Sequence, residues 1–147
     1  MPDGERGVMA FIDKTIKVAA DVRDVYEVWT AFADYPKFME TIETVTIIPD
    51  ERLHWVALVE EDTIEWDADV VGRVLDERVV WRAIDGRETG EVRFEKLAGG
   101  ATEVTYQLEY DPAAWPGKAD TVRHWMRRRV EKDLDQFKKI VEVVAPK

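Results

Sequence analysis

The chain has 147 residues, of which 46% are hydrophobic and 35% are charged, and its formal net charge is −10. A chain of this length forms one domain of ordinary size, and a strongly acidic chain disfavours binding to nucleic acid and to acidic membrane surfaces. Because the sequence contains no Cys, no Ser and no Asn, disulfide bonds, thiolate metal sites and Ser- or Cys-based acyl-enzyme mechanisms are excluded.

The N-terminal segment and the location of the protein are predicted from signals that the sequence lacks. Residues 1–8 carry no apolar core of a secretory signal and are predicted to be a disordered tail, with residues 9–147 as a single ligand-binding domain. No apolar run approaches the roughly 20 residues that a membrane-spanning helix needs, so we expect no membrane insertion. The cytoplasm is the simplest location, and no pattern indicates an oligomeric state.

The first predicted elements are a strand and a helix. In "AFIDKTIKV" (10–18) the Ile and Val residues share one strand phase. The next segment has apolar residues at helical spacing, with Asp21 as its N-cap. We expect the pair Tyr35-Pro36 to interrupt this helix, because a residue that precedes proline avoids the α region. A single further turn is then predicted from Pro36 to Glu40.

The middle of the chain is predicted to be a meander of six strands. The strands cover residues 44–50, 52–60, 63–75, 78–84, 89–97 and 102–110. Turns as short as those between them join antiparallel neighbours. If Glu60-Glu61 forms a two-residue turn, Trp55 lies opposite Trp66, as cross-strand packing or as an aromatic wall for a flat apolar ligand.

A long helix is predicted over residues 119–144, after the loop "DPAAWPGK". Its apolar stripe consists of Val122, Met126, Val130, Leu134, Phe137, Val141 and Val144. At ~1.5 Å per residue it is about 39 Å long, enough to cover one face of the sheet. The predicted fold is α+β: a curved antiparallel sheet of six or seven strands around the C-terminal helix, with two short helices between strands 1 and 2. The segment from Tyr35 to Ile42 then forms the wall or lid of the space between sheet and helix.

Two stretches carry a family resemblance. They are "IKVAADVRDVYEVWTAFADYPKFMETIETVTII" and "VVWRAIDGRETGEVRFEKLAGGATEVTYQLEYDP". The first is similar to the opening strand, helix, Tyr/Trp-Pro connector and second strand of the START-like helix-grip superfamily, in its polyketide cyclase/dehydrase and coenzyme Q-binding branch. The second resembles the central hairpins of that branch, and the resemblance covers residues 9–144. It implies a helix-grip fold with an apolar cavity between sheet and long helix for lipids, quinones, polyketides or similar molecules.

The resemblance, together with the strand and helix phases, assigns the residues that line this cavity. They are Trp29, Tyr35, Phe38, Met39, Ile42, Trp66, Ala68, Val70, Trp81, Arg82, Phe94, Tyr106, Leu108, Met126 and Val130. Arg82 could anchor a carboxylate or a carbonyl if it turns inward. The aromatase branch sets polar residues, notably an Arg, on the strand phase that here gives Trp66, Ala68 and Val70. No catalytic residue is therefore assigned, and a bare apolar pocket is expected.

The remaining polar candidates are predicted to lie on the surface. His54 and His124 each lack ligand neighbours at metal-binding spacing, and Asp67 and Asp69 alternate onto one face of a strand. The basic stretch 123–139 is interrupted by acidic residues, which is typical of a solvated helix face. Its alternative role is to bind an anionic ligand headgroup or an acidic partner. Neither a metal nor a cofactor is predicted.

Three functions compete at this point. The first is a non-catalytic binder of a hydrophobic small molecule or lipid, which the apolar pocket favours. The second is a polyketide aromatase/cyclase or dehydratase that acts by acid–base chemistry, which needs at least two converging titratable groups. The third is a protein-interaction module whose long helix or lid binds another protein. An exposed apolar patch near Trp115 would favour it, but Trp115 is expected to be an anchor beneath the lid. We expect the first.

Overall fold

A computed structural model of the chain describes residues 9–49, 51–59, 61–115 and 117–144. The strands are β1 Ala10–Val18, β2 Ile42–Ile48, β3 Arg52–Val59, β4 Asp62–Val74, β5 Arg78–Ala83, β6 Glu88–Leu97 and β7 Ala101–Tyr110. The α-helices are α1 Val22–Thr30 and α2 Ala119–Val144, and short 3₁₀ helices cover Phe32–Lys37 and Pro112–Ala114. The predicted disordered tail, residues 1–8, lies outside the described residues.

The strands form one antiparallel sheet in the order β1-β7-β6-β5-β4-β3-β2. Consecutive strands from β2 to β7 pair as hairpins, and β1 pairs along β7 from Ala10 opposite Tyr110 to Val18 opposite Thr102. Each predicted strand is present, and the largest difference in a starting point is at β2, which begins at Ile42 rather than Thr44. The expected meander and sheet are confirmed.

Helix α2 has the predicted bounds and packs against β1 and β7. Its predicted stripe is buried as far as Val141, whereas Val144, the last residue of the helix, is 60% exposed. No helix in the described part of the chain is both long enough and apolar enough to cross a bilayer. The predicted α+β arrangement, with a sheet around one long helix and short helices between β1 and β2, is confirmed.

The connector between α1 and β2 differs from the prediction in its position. A 3₁₀ helix covers Phe32–Lys37 with Pro36 inside it, instead of a turn from Pro36 to Glu40. The Tyr35 carbonyl accepts bonds from the Phe38 N–H at 3.0 Å and the Met39 N–H at 2.8 Å, which ends the turn. The tighter 3₁₀ geometry suits a segment in which proline supplies no N–H and restricts the residue before it.

The connector covers the aromatic interior, which explains its apolar composition. Tyr35, Phe38 and Met39 are all buried. The ring centroids of Tyr35 and Phe38 lie 5.5 Å and 5.7 Å from that of Trp29 on α1. Phe38 also lies 5.3 Å from Phe137 on α2. The connector therefore joins both helices into one aromatic core.

One glycine is required by this core. Gly90 on β6 lies opposite Trp81 on β5, and a Cβ atom built at Gly90 would overlap the Trp81 indole. The indole therefore lies directly on the β6 backbone, which only a residue without a side chain allows. The Trp81 indole therefore lies between β6 and α2, next to the buried polar residue Glu88.

Candidate functional site

The residues predicted to line a cavity pack mainly against one another. All of them except Val70 and Arg82 are buried in a single core cluster, and Val70 is partly buried against it. Trp29, for example, has ring centroids of Tyr106 at 5.5 Å and of Phe137 at 5.0 Å around it. Their role as ligand contacts stays a prediction.

The prediction that Arg82 lines the cavity is wrong. It is exposed, whereas its neighbours Trp81 and Ala83 are buried. Strand alternation places Arg82 on the outer face of the sheet, because successive side chains point to opposite faces. Arg82 therefore does not reach the space between sheet and helix.

A series of tryptophans surrounds the end of the interior nearest the start of α2. Trp55 lies opposite Trp66, as predicted, with ring centroids 5.7 Å apart and planes 8° from parallel. Trp115 contacts Trp66 at 4.9 Å and Trp125 at 5.6 Å. Arg87 lies 5.0 Å above Trp115. Since Trp115 is only 4% exposed, it does not form the exposed patch that an interaction module would need.

A buried ion pair lies inside this series. The Nη1 of Arg129 on α2 donates to Oε1 of Glu88 on β6 at 2.8 Å, and Nη2 donates to Oε2 at 3.3 Å. Both side chains are 0% exposed. The Trp81 indole N–H donates to Glu88 Oε2 at 3.3 Å. The helix and the sheet are thus joined by a charge-assisted bond in the core.

Aromatic rings surround the guanidinium of Arg129. Its central carbon lies 5.7–6.0 Å from the ring centroids of Trp55, Trp66 and Trp125, within cation–π range. Burial lowers the pKa of Arg129, but the combined effect of the acidic groups around it, Glu88 first and then Tyr106 and Asp133, is larger, so this pKa lies above its usual range. The prediction that the basic stretch is a solvated face is therefore wrong at Arg129.

A groove opens beside this ion pair, between α2 and the β2 edge of the sheet. We call it the edge groove; its volume is about 490 Å³. It is lined by Glu40, Thr41, Glu43, Leu58, Thr121, His124, Trp125, Arg128, Arg129, Lys132 and Asp133. Arg129 and Asp133 are each only 2% exposed, so the groove leads from exposed charges at its rim to buried charges at its floor.

Four of the residues that line the edge groove form its floor, and each carries a buried side-chain polar atom that has no hydrogen-bond partner within the described residues. These atoms are Thr41 Oγ1, Trp125 Nε1, Arg129 Nε and Asp133 Oδ2. The great majority of buried polar atoms in native proteins are hydrogen-bonded, and an unpaired one costs about 1–3 kcal/mol. Six further atoms of this kind in the described residues belong to side chains that do not line the groove.

Asp133 has the chemistry of a proton donor near neutral pH. Burial raises the pKa of its carboxyl to about 8; Arg129 opposes this shift and Glu40 adds to it. Burial also raises the pKa of the Tyr106 hydroxyl above its usual range, so this hydroxyl stays protonated. The carboxyl of Asp133 is therefore largely neutral at pH 7 and can donate or accept a hydrogen bond.

The outer face of the sheet carries its own polar pairs. His54 lies between Asp67, at 2.7 Å from Nδ1, and Glu65, at 2.8 Å from Nε2. Hydrogen bonds to these two carboxylates raise the pKa of His54. Asp69 accepts from Arg52 at 2.8 Å. The predicted outer positions of His54 and the aspartates are confirmed, and the described residues contain no group of three or more His, Asp or Glu that could hold a metal.

The sequence analysis missed the polar floor of the groove, although signals for it existed. At ~100° per residue, position 133 projects between Val122 and Met126, inside the apolar stripe. An Asp at such a position is expected to be buried. Glu88 was missed because β6 was predicted to begin at Thr89, which left it in a turn rather than in the inward strand phase.

Comparisons with known proteins agree with this architecture. The model of a family described as "Polyketide cyclase / dehydrase and lipid transport" matches residues 18–138. An uncharacterised 17.2 kDa protein of Streptomyces lincolnensis is 31% identical over 136 residues, which is 91% of each chain.

Two solved structures are similar in fold. The Zhui aromatase/cyclase of Streptomyces sp. R1128 has a TM-score of 0.73 at 19% identity, with 91% of this chain and 94% of that chain covered. A START superfamily protein of Mycobacterium smegmatis has a TM-score of 0.69 at 14% identity, with 90% and 94% covered. At these identities the likeness concerns the fold alone.

The buried ion pair yields a first prediction. Glu88→Gln leaves the Arg129 charge buried without its counter-ion, and we expect it to lower the free energy of unfolding by about 3–5 kcal/mol. Arg129→Met leaves the Glu88 carboxylate buried without its counter-ion, and we expect a loss of similar size in the free energy of unfolding. The double variant should lose clearly less than the two single losses added together, because neither charge remains. Urea unfolding followed by Trp fluorescence measures all three.

A surface pair provides the control for this cycle. Arg93 bonds Glu91 at 2.8 Å, but its side chain is 60% exposed, so Arg93→Met should change the free energy of unfolding by less than about 1 kcal/mol. If the loss in the free energy of unfolding for the double variant equals the sum of the two single losses, Glu88 and Arg129 are not energetically coupled. The ion pair then does not stabilise the fold.

Asp133 yields a second prediction, on pH. Its pKa in the folded state is about 8 and about 3.9 in the unfolded state. Between these two values the unfolded chain loses the proton while the folded protein keeps it, so this residue makes folding less favourable as the pH rises. We expect Asp133→Asn to become increasingly stabilising relative to the parent between pH 4 and pH 8, by a few kcal/mol in total. Urea unfolding at several pH values measures this, and a constant difference would contradict it.

Proposed function

We propose a ligand-binding function for this chain, which belongs to the polyketide cyclase / dehydrase and lipid transport family. The proposed ligand is a hydrophobic small molecule that carries a polar group, and the proposed binding site is the edge groove. The observation that carries the proposal is a groove of about 490 Å³ with apolar walls, four of whose lining residues each carry a buried polar atom without a hydrogen-bond partner in the described residues. A ligand polar group would supply the partners that these atoms lack.

The size of the groove supports this proposal. Its volume of about 490 Å³ falls within the range of small-molecule sites, which extends from about 300 to about 1,000 Å³. Leu58 and Trp125 provide apolar walls, and the polar atoms provide orientation. Most small-molecule sites combine apolar walls with a few placed polar groups in this way.

The expected affinity is modest. Burying ~300 Å² of apolar ligand surface contributes roughly 7 kcal/mol at ~25 cal/mol per Å², and the loss of ligand freedom subtracts several kcal/mol. The polar floor adds hydrogen bonds that each contribute about 1 kcal/mol net. A dissociation constant in the micromolar range follows from these magnitudes.

A second candidate function is catalysis in the same groove. The observation that favours it is the neutral, buried carboxyl of Asp133, whose pKa of about 8 suits proton transfer near neutral pH. His124 lines the same groove and is a second titratable group. The two together meet the minimum for acid–base chemistry, such as the loss of water from a β-hydroxy ketone. In that reaction His124 would take the Cα proton, a C=C bond would form as the Cβ–OH bond breaks, and Asp133 would give its proton to the departing hydroxyl, which leaves as water.

The third prediction tests binding. Titration with N-phenylnaphthylamine, a neutral fluorescent hydrophobic probe, should give saturable binding in the micromolar range. Leu58→Trp fills the groove from its wall and should weaken this binding at least about tenfold, a loss of ~1.4 kcal/mol. Ile84→Trp is the matched control, because Ile84 is 53% exposed and does not line the groove.

Native mass spectrometry of the freshly purified protein complements the titration. A discrete excess mass that disappears on denaturation, and that is absent from Leu58→Trp, identifies a natural occupant of the groove. If both tryptophan variants bind the probe as the parent does, the edge groove is not the binding site.

The fourth prediction separates catalysis from binding. If the second function holds, the protein should accelerate dehydration of a β-hydroxy ketone probe to benzylideneacetone, followed by absorbance. Asp133→Asn should return the rate to that of buffer, because Asn cannot give up a proton, yet it should still bind N-phenylnaphthylamine. Equal rates with and without the parent protein contradict catalysis of this kind and leave the binding function in place.

A further inference from the structure

A second groove lies between α1, the 3₁₀ helix that follows it and the end of α2, and it shares no lining residue with the edge groove. We call it the α1 groove; its volume is about 460 Å³. Its apolar lining includes Val28 and Ala31 beside α1 and Ile140 and Val144 on α2. Val141 is the last residue of the α2 stripe that is buried in the core. The stripe therefore ends in an open groove rather than in the interior.

The α1 groove runs along one face of α1. Asp24, Glu27, Val28 and Ala31 are separated by steps of three, one and three residues, a spacing that places side chains on one side of a helix. The buried residues of α1 lie on its other side, towards the core. Val28 and Ala31 are only partly buried. This second face, with two carboxylates beside two apolar side chains, is thus open to a further packing partner.

The α1 groove is negatively charged. Three carboxylates and one lysine line it, which gives a net charge of −2, and that lysine, Lys37, lies 3.4 Å from Asp34. The neighbouring Arg23 is paired with Asp76 at 2.9 Å and does not line the groove. Both α1 and α2 end beside the groove, and neither has a basic residue in its last turn. The negative ends of two helix dipoles therefore add to the charge of the carboxylates.

The charge of the groove decides between possible occupants. In a symmetric dimer the same patch of each chain meets its copy, so two acidic grooves would repel each other in a chain whose net charge is already −10. An acidic membrane surface is repelled for the same reason. A helix that carries an apolar stripe flanked by Lys or Arg matches both the apolar lining and the acidic rim. Such a helix-in-groove contact is a common mode of peptide recognition.

We propose that the α1 groove is a docking site for a partner protein, and that the docked element is a basic amphipathic helix. Its apolar side chains pack between Val28 on α1 and Val144 on α2, and its Lys or Arg side chains face Asp24 and Glu27. The inference goes beyond the proposed ligand-binding function and does not rest on it, because the two grooves share no residue.

The test uses a fluorescently labelled peptide of about 14 residues, long enough to form a helix, with Leu on one face and Lys on the other. Fluorescence anisotropy with the intact protein should show saturable binding in the micromolar range. A peptide of the same composition in scrambled order has no continuous apolar face and should bind at least about tenfold more weakly. A version with Glu in place of Lys should not bind, because its charge has the same sign as that of the rim.

A pair of neighbouring variants locates the peptide. Val144→Lys replaces an apolar lining residue by a cation and should weaken binding at least about tenfold. Val143→Lys is the matched control, because Val143 is 79% exposed and does not line the groove. It changes the net charge by the same amount at the adjacent position, and it should weaken binding by less than about threefold.

A second pair of variants tests the charge of the rim. Asp24→Asn with Glu27→Gln removes two lining carboxylates and should weaken binding about fivefold, since exposed ion pairs are individually weak. Glu95→Gln with Glu109→Gln is the matched control. These two carboxylates are exposed on β6 and β7 and do not line the groove, so their removal should leave the affinity within about twofold of the parent.

The contrary outcomes are distinct. Equal weakening by both carboxylate pairs, or equal binding of the scrambled peptide, overturns the docking site in favour of attraction by overall charge. Sedimentation that shows a dimer for the parent and a monomer for Val144→Lys overturns it in favour of a second copy. Binding of the parent, but not of Val144→Lys, to phosphatidylcholine vesicles overturns it in favour of a membrane surface.

The same samples separate this inference from the proposed function. Leu58→Trp, which fills the edge groove, should bind the Lys–Leu peptide as the parent does, and a reduced affinity would overturn the placement in the α1 groove. If the parent does not bind the peptide, the docking site is overturned. Titration with N-phenylnaphthylamine still reports on the edge groove in that case.

Discussion

The ion pair between Arg129 and Glu88 is the constraint on which the interior depends. Removing two charges from water costs several kcal/mol per ion, and the pair recovers this only if its geometry and its remaining hydrogen bonds are good. The structure meets that requirement at Glu88, whereas Nε of Arg129 has no partner within the described residues. The Trp81 indole N–H donates to Glu88, and three further indoles surround the guanidinium. The abundance of tryptophan around the first half of α2 follows from this requirement.

The pair also fixes how α2 lies on the sheet. An apolar stripe alone permits a helix to slide or rotate by small amounts, because apolar contacts are not directional. A bidentate bond between Arg129 and Glu88 selects one position of the helix over β6. In that position Arg129 and Asp133 meet the floor of the edge groove. The same interaction therefore orders the fold and positions two of the residues that line the proposed site.

The fold was largely predictable from the sequence because its signals are local and repeated. Strand alternation, short turns and a stripe over 26 residues each depend on spacing alone, and together they specify the sheet and the long helix. The site was not predictable in this way. Arg129 looks like one member of a solvated run of three arginines, and only its partner on a distant strand makes its burial favourable. Arg82 shows the opposite error: its place beside Trp81 suggested an inward anchor, whereas strand alternation puts it outside.

Filling the interior with rings leaves the edge of the sheet as the place of the proposed site. Trp29, Trp81 and Tyr106 occupy the middle of the space between sheet and α2, whereas the edge groove opens between α2 and β2. At that opening the low dielectric of the interior acts on Asp133 and raises its pKa. A carboxyl kept neutral by burial can donate a hydrogen bond, which an ionised carboxylate cannot do. Burial of Arg129 and neutrality of the Asp133 carboxyl are thus two consequences of one packing arrangement.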